Sequence, residues 1–149
     1  GGAVVGIHIR YGMAKGGAFG GCLPPVDYYL KCLDYYRDRF GGHVAFVYAS
    51  EPSGMVWFRD EVLTKDANGA RDVFPVATSD PVETMAVLSK CDASVFSYGS
   101  YGWFSAWLAR GPVTYSAHLT NLKELGHCET VLRSGAGASN HIPQAWIKI

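Results

Sequence analysis

The sequence predicts an α/β fold, a parallel sheet covered by helices, and three observations predict it. Short apolar runs rich in β-branched residues recur along the chain, bounded by glycine, proline or serine. Between them lie stretches whose apolar residues return at helical spacing. The joins between the two are short, which is the pattern of βαβ units with right-handed crossovers. With 149 residues, 48% of them hydrophobic, the chain is long and apolar enough to bury a core as one globular domain.

The first strand organises the rest. In AVVGIHIRYGM, from Ala3 to Met13, the residues Val4, Val5, Ile7 and Ile9 read as a strand covered on both faces. The run stops on His8 and Arg10 and passes into the glycine-rich YGMAKGGAFGGC. Leu23 to Phe40 predicts an amphipathic helix, with Tyr28 or Tyr29, Leu30, Leu33, Tyr36 and Phe40 on its inner face. Prolines stand at its start and Gly41-Gly42 at its end, the usual asymmetry of helix punctuation. Asp34 and Asp38, one turn apart, read as a solvated face with Arg37 and Arg39.

His43 to Ala49 is the second strand, ending at Ser50-Glu51-Pro52, and the helix-like GMVWFRDEVLTK follows. A third strand spans Asp72 to Val76. Ser79 or Asp80 then caps a helix with Pro81 just inside and Glu83 in its first turn, its inward positions being Val82, Met85, Ala86 and Leu88. Ala93 to Ser97 is the fourth strand, and the turn Tyr98-Gly99-Ser100 leads into the helix YGWFSAWLARG, where Trp103, Phe104 and Trp107 recur at helical spacing as packing residues. Pro112 to Tyr115 makes a fifth strand. This alternation makes the class Rossmann-like. Ser116 to Ile149 reads as an irregular carboxyl-terminal segment, with SGAGASNH as a loop before the apolar ending IPQAWIKI.

Thirteen basic residues balance thirteen acidic ones, so no broad positive field exists to hold a nucleic acid or an anionic membrane, and any anion site is local. No apolar run approaches the roughly 20 residues that span a bilayer, and the sequence reads as a soluble domain. Cys22, Cys32, Cys91 and Cys128 form no CxxC, so neither a zinc cluster nor a redox pair is signalled, and buried free thiols are the default. The motifs GxGxxG, GxxxxGK[ST] and HExxH are all absent, which removes the usual support for dehydrogenase, kinase and zinc-protease chemistry.

Each strand end carries something polar: His8 and Arg10, then Ser50, then the Ser79 to Glu83 cap, then Ser97 with Gly99 and Ser100. In a parallel sheet these ends point one way and converge on one crevice. Gly99-Ser100-Tyr101-Gly102 opens a helix, where backbone N–H groups and the macrodipole favour a phosphate. Arg10 at a strand end is placed to meet the same anion, and a sugar nucleotide suits both features. Plainer roles stand beside these. Arg10 also fits an ion pair on the rim, His8 a core histidine, Glu83 a helix-start charge, and Ser50 and Ser97 simple strand terminators.

Three segments carry a family resemblance. VGIHIRYGM resembles the HxRRxD segment of GDP-fucose-dependent fucosyltransferases, most closely the alpha-1,2-fucosyltransferase family, with Tyr11 in place of the second arginine and Met13 in place of the aspartate. GMVWFRDEV, from Gly54 to Val62, is similar to the family's GMxWCRENI-type stretch, with Phe58 where cysteine is common. VETMAVLSKCDASVFSYGSYGWFSAWLARG, from Val82 to Gly111, resembles DxALLxQCxHxIxxxGxFGxWxAxLxxG, with Glu83 in the aspartate's place.

The resemblance implies that residues 1–149 are the carboxyl-terminal, donor-binding half of a GT-B-type inverting fucosyltransferase, the acceptor-side domain lying outside this sequence. It implies GDP-fucose as donor, a galactose-terminated glycan as acceptor, and no metal or other cofactor. By the same resemblance Arg10 acts on the donor's phosphates as the catalytic group, His8 lies near the nucleotide, and Glu83 reads guanine. Animal members sit in the Golgi membrane through a segment absent here and bacterial members in the cytoplasm. The alternative is a non-catalytic relative that binds a nucleotide sugar or glycan and has lost the second arginine and the aspartate.

Overall fold

The fold is that of a computed structural model, which describes residues 1–12, 23–117 and 142–149. Met13, most of the glycine-rich stretch, Cys22, Cys128 and SGAGASNH lie outside the described residues. Six strands, all paired in parallel, form one sheet in the order β3-β2-β1-β4-β5-β6. They are β1 (Ala3–His8), β2 (Val44–Ala49), β3 (Val73–Pro75), β4 (Ala93–Phe96), β5 (Val113–Tyr115) and β6 (Ile147–Lys148). The α-helices among the described residues are α1 (Val26–Arg39), α2 (Pro52–Trp57), α3 (Pro81–Leu88) and α4 (Ser100–Ala109). The expected Rossmann-like class is borne out.

β1 pairs with β2 on one side and β4 on the other, so both its edges are satisfied, and its residues divide by parity between the two faces of the sheet. Val5, Ile7 and Ile9, each at most 1% exposed, pack in one core with Tyr29, Leu33 and Tyr36 of α1 and with Phe58 and Val62 beyond α2. Gly6 and His8 face the other way. A Cβ on Gly6 would lie 3.1 Å from the side chain of Leu88, so α3 packs onto the sheet at this glycine.

Both Tyr28 and Tyr29 are buried, where the periodicity offered one or the other. The hydroxyl of Tyr28 lies 2.8 Å from the Phe96 carbonyl and 3.0 Å from that of Thr114, and Tyr36 bridges Ser94 and Pro112 in the same way. These phenols join the β4–β5 seam to α1 while keeping their polar tips satisfied. At the end of α1, Gly41 and Gly42 take φ of +59° and +77°, and the Gly42 amide donates to the Arg37 carbonyl, closing the helix as expected.

Arg37 departs from its expected place on a solvated face. Its guanidinium donates to both carboxylate oxygens of Asp66 at 2.7 and 2.9 Å and to both of Asp72 at 2.7 and 2.9 Å. The guanidinium lies 5.6 Å from the centre of the Phe46 ring. A planar fork that meets two carboxylates at once is worth more than exposure to water, so the side chain turns toward the loop that feeds β3. Hydrogen bonds and charge from Arg37 hold both acids below the usual carboxylate range, against the burial penalty on Asp66.

Two other expectations need correction. In α3 the cap is Asp80, one of the two residues expected there, its carboxylate accepting from the amides of Val82 and Glu83 at 2.9 Å. The inward stripe is Thr84 and Leu88, while Val82 is 76% exposed and Ala86 is also exposed, because seating Leu88 on Gly6 sets the helix's rotation. In α4 the sheet side is the small stripe Gly102, Ser105 and Ala106, so the aromatics fall beside it: Trp103 packs on Trp146, and Phe104 and Trp107 are half exposed.

The stretch 54–65 is helical but in three gauges: the end of α2, a π turn at Phe58–Val62 and a 3₁₀ turn at Leu63–Lys65. Within the segment expected to be irregular, Ile147–Lys148 adds the sixth strand against β5.

Arg37→Ala leaves Asp66, whose side chain is 2% exposed, buried without its cation. The expected loss of unfolding free energy in urea is about 3–5 kcal/mol, and Arg37→Lys recovers only part of it because one ammonium cannot serve two carboxylates as a fork does.

Candidate functional site

The order 3-2-1-4-5-6 reverses direction at β1 and β4, and ligands of open parallel sheets bind beyond the strand ends at such a switch point. Here the amide of Arg10, just past β1, donates to Ser97 Oγ, just past β4, at 3.1 Å. Ser97 is fully buried, so its hydroxyl works as a strut behind the arginine. The stem of Arg10 runs beside Gly99, where an added Cβ would come 3.7 Å from Arg10 Cγ. Gly99 has a φ of +86° and precedes α4, a helix whose first turn has no capping side chain, whereas Asp80 occupies the start of α3.

A cavity of about 640 Å³ opens over the ends of β1, β2 and β3. His8, Arg10, Ser50 and Tyr101 all line it, so four of the expected residues converge although they come from three separate parts of the chain. A second cavity, of about 630 Å³, lies at the opposite ends of the strands against Gly1, Phe40 and Asp92 and carries no comparable set.

His8 is 9% exposed, and its ring lies 4.9 Å from that of Tyr101. It rests on the backbone of α4 at Gly102, where a Cβ would lie 2.6 Å from His8 Nδ1. Glycine is therefore required at 102 for close approach of helix and imidazole. Burial, helped by the nearby charge of Arg10, pushes the His8 pKa down to about 4, so the ring is neutral near pH 7. Its Nδ1 is buried and makes no hydrogen bond among the described residues. Tyr101 braces the two helix starts, its hydroxyl donating to the Pro81 carbonyl.

The remaining expected residues occupy the frame. Ser100 and Gly102 lie in the first turn of α4. Glu83 is exposed on α3 and does not line the cavity; its carboxylate accepts from Thr78 Oγ1 at 2.6 Å, and Thr78 is itself at the wall. Ser50 Oγ lies 2.7 Å from the Ile9 carbonyl and 2.9 Å from Glu51 Oε2.

Gly54 explains the glycine of the GMVW stretch, because a Cβ there would lie 1.9 Å from Ser50 Oγ and 2.8 Å from Tyr11 Cβ.

Glu51 is the residue that sequence reasoning passed over. It lines the cavity, and its carboxylate accepts from the Gly12 amide and faces Ser50. Burial opposes its ionisation, but the amides of Gly12 and Glu51 itself, the Ser50 hydroxyl and the charge of Arg10 outweigh this and hold its carboxyl below the usual range. The strand-end rule that singled out Arg10 applies equally to Glu51, which follows β2 directly after Ser50. Thr78, Ser79 and Thr84 also line the wall. Among the described residues no three His, Cys, Asp or Glu side chains gather as a metal set.

Comparison with known proteins adds the family. Residues 2–129 match the model of glycosyl transferase family 11. Curated relatives include galactoside alpha-(1,2)-fucosyltransferase 1 of Ateles belzebuth and of Oryctolagus cuniculus, each 28% identical over 121 residues, covering 78% of this chain and 31% of that protein. The protein of the same name from Leontocebus fuscicollis is 27% identical over 121 residues and covered over 32% of its length. The chain thus spans about a third of the length of the curated relatives it matches. Since the family match runs through every strand of the sheet except β6, the chain belongs to glycosyl transferase family 11, as its likeness to the alpha-1,2-fucosyltransferases implied.

Proposed function

We propose that this chain binds the nucleotide-sugar donor of a fucosyltransferase, which moves fucose from GDP-fucose to the 2-hydroxyl of a terminal galactose with inversion at the anomeric carbon. The observation that carries the reading is the meeting of Arg10 with the start of α4 at the switch point of the sheet. Donor and acceptor follow the names of the relatives and the resemblance of the three motifs.

In such a transfer the bond between the anomeric carbon and the diphosphate breaks as the acceptor oxygen bonds from the opposite face. Negative charge then grows on the departing diphosphate. A guanidinium and the amides at an uncapped helix start hold that charge best when it is fully developed, so they favour the transition state over the bound donor. Neutral His8 adds no charge of its own and presents an imidazole beside the same phosphates. The hydroxyl of Ser79, on the β3–α3 side of the cavity, supplies a polar partner for the rest of the nucleotide.

A second reading, a binding relative without turnover, has one observation in its favour. Tyr11, in the place of the motif's second arginine, packs its ring 5.3 Å from that of Trp57 and so brings no second cation to the phosphates. Tyr11→Arg combined with Met13→Asp, placed in the full-length protein, creates fucosyl transfer if this second reading holds; activity already present in the parent and unchanged by the pair rules it out.

GDP at about 100 times its Kd is expected to add about 2.7 kcal/mol of stability, read as a rise in melting temperature, with smaller rises for ADP and UDP. Arg10→Ala removes most of the rise and, in the full-length enzyme, lowers the transfer rate about a hundredfold. No shift with millimolar GDP defeats the donor reading.

The buried imidazole adds a pH dependence. A histidine whose pKa falls from 6.5 to about 4 on folding holds its proton more tightly in the unfolded chain. Its contribution to stability is therefore complete above pH 6.5 and is lost as pH falls through about 4. Urea unfolding should show a loss on the order of 3 kcal/mol across this window, and His8→Gln should flatten it.

A further inference from the structure

We propose that Glu51 is a positioning residue for Arg10, tethering the chain on the far side of the arginine so that its guanidinium is presented to the diphosphate; this rests on reading the crevice as a diphosphate site. Glu51 begins α2 as its N-cap, and its carbonyl accepts from the amides of Gly54 at 2.9 Å and Met55 at 3.0 Å. Its backbone is thereby held, yet its side chain does not cap its own helix. The carboxylate instead turns across the cavity wall to the segment that leaves β1.

There it brackets Arg10. Glu51 Oε1 accepts from the amide of Gly12, two residues after Arg10. Oε2 lies 2.9 Å from Ser50 Oγ, which lies 2.7 Å from the carbonyl of Ile9, one residue before Arg10. The arginine's own amide is held from the other side by Ser97. The backbone on both sides of Arg10 is thus pinned from β2, and its own amide from β4.

The charge of Glu51 argues against a simpler electrostatic role. A carboxylate beside the cation that meets a polyanion opposes binding, so a merely Coulombic Glu51 predicts tighter GDP binding when it is removed. The tether predicts the reverse. The hydroxyl of Ser50 also has one proton for two acceptors, Ile9 and Glu51. Glutamine at this place resolves the competition. Its oxygen accepts from Gly12, its amide donates to Ser50 Oγ, and Ser50 donates to Ile9.

GDP affinity is measured by calorimetry for the parent chain, E51A, E51Q, R10A and the double variant E51A with R10A. The expected result is an about tenfold weaker Kd for E51A, equal to 1.4 kcal/mol, with E51Q at or below the parent's Kd. In the Arg10→Ala background the further loss from E51A disappears, because a positioning residue acts only through the group it positions. Parental or tighter binding by E51A, an equal loss in E51Q, or a full further loss in the double variant each overturn the proposal.

Hydrogen exchange at the Gly12 amide is read in the same proteins without nucleotide. It is expected to be slow in the parent and in E51Q and fast in E51A, and fast exchange in the parent overturns the tether whether or not GDP binds. If the parent prefers ADP or UDP, the fucosyl donor reading fails, and the same set is titrated with the preferred diphosphate, since the tether concerns the phosphates common to all three.

Discussion

Arg10 leaves β1 at the place where the sheet changes direction, and the hydrogen bond from its amide to the buried hydroxyl of Ser97 determines where it goes. Successive strands on either side of this point send their connections to opposite faces of the sheet, which opens a crevice without cost to either core. A residue there has few backbone partners of its own. Ser97, just past β4, accepts from its amide and Ser50, just past β2, donates to the carbonyl of Ile9 before it, so the arginine's backbone is held by side chains that the strand ladder itself does not provide.

Side chains from distant elements also fix Arg37, a largely buried cation. Arg37 is enclosed by two carboxylates and an aromatic face, and its charge is spent on joining α1 to the approach of β3. Arg10 lines the cavity beside Glu51, whose carboxylate is engaged with Gly12 and Ser50. One arginine of this small domain thus closes a structural joint, and the other stands at the wall of the crevice.

Glycine does its work here by close approach. Without a side chain at 102 the imidazole of His8 can lie on the first turn of α4, and without one at 54 the start of α2 can meet Ser50 and Tyr11. Two of the family-like segments therefore meet the third at points where no Cβ fits. That gives a physical reason for glycine in GMVW and in GSYG beyond turn formation.

Much of the architecture was legible because parallel strands buried on both faces must be largely apolar, and Val4 to Ile9, Ala45 to Tyr48 and Ala93 to Phe96 are, with His8 and Ser94 as the polar exceptions. Strand-end polarity likewise located His8, Arg10, Ser50 and Tyr101 in one crevice, since a parallel sheet leaves them no other common direction. What periodicity could not supply was rotation and reach. The seat of Leu88 on Gly6 turned α3 away from its expected face, the two acids Asp66 and Asp72 drew Arg37 inward, and Glu51 crossed to Gly12. Those outcomes depend on which distant groups come within about 3 Å of one another, the range of a hydrogen bond, and spacing along a chain carries no such information. Local order came from the residues in sequence, and the distant partners of Arg37 and Glu51 came from packing alone.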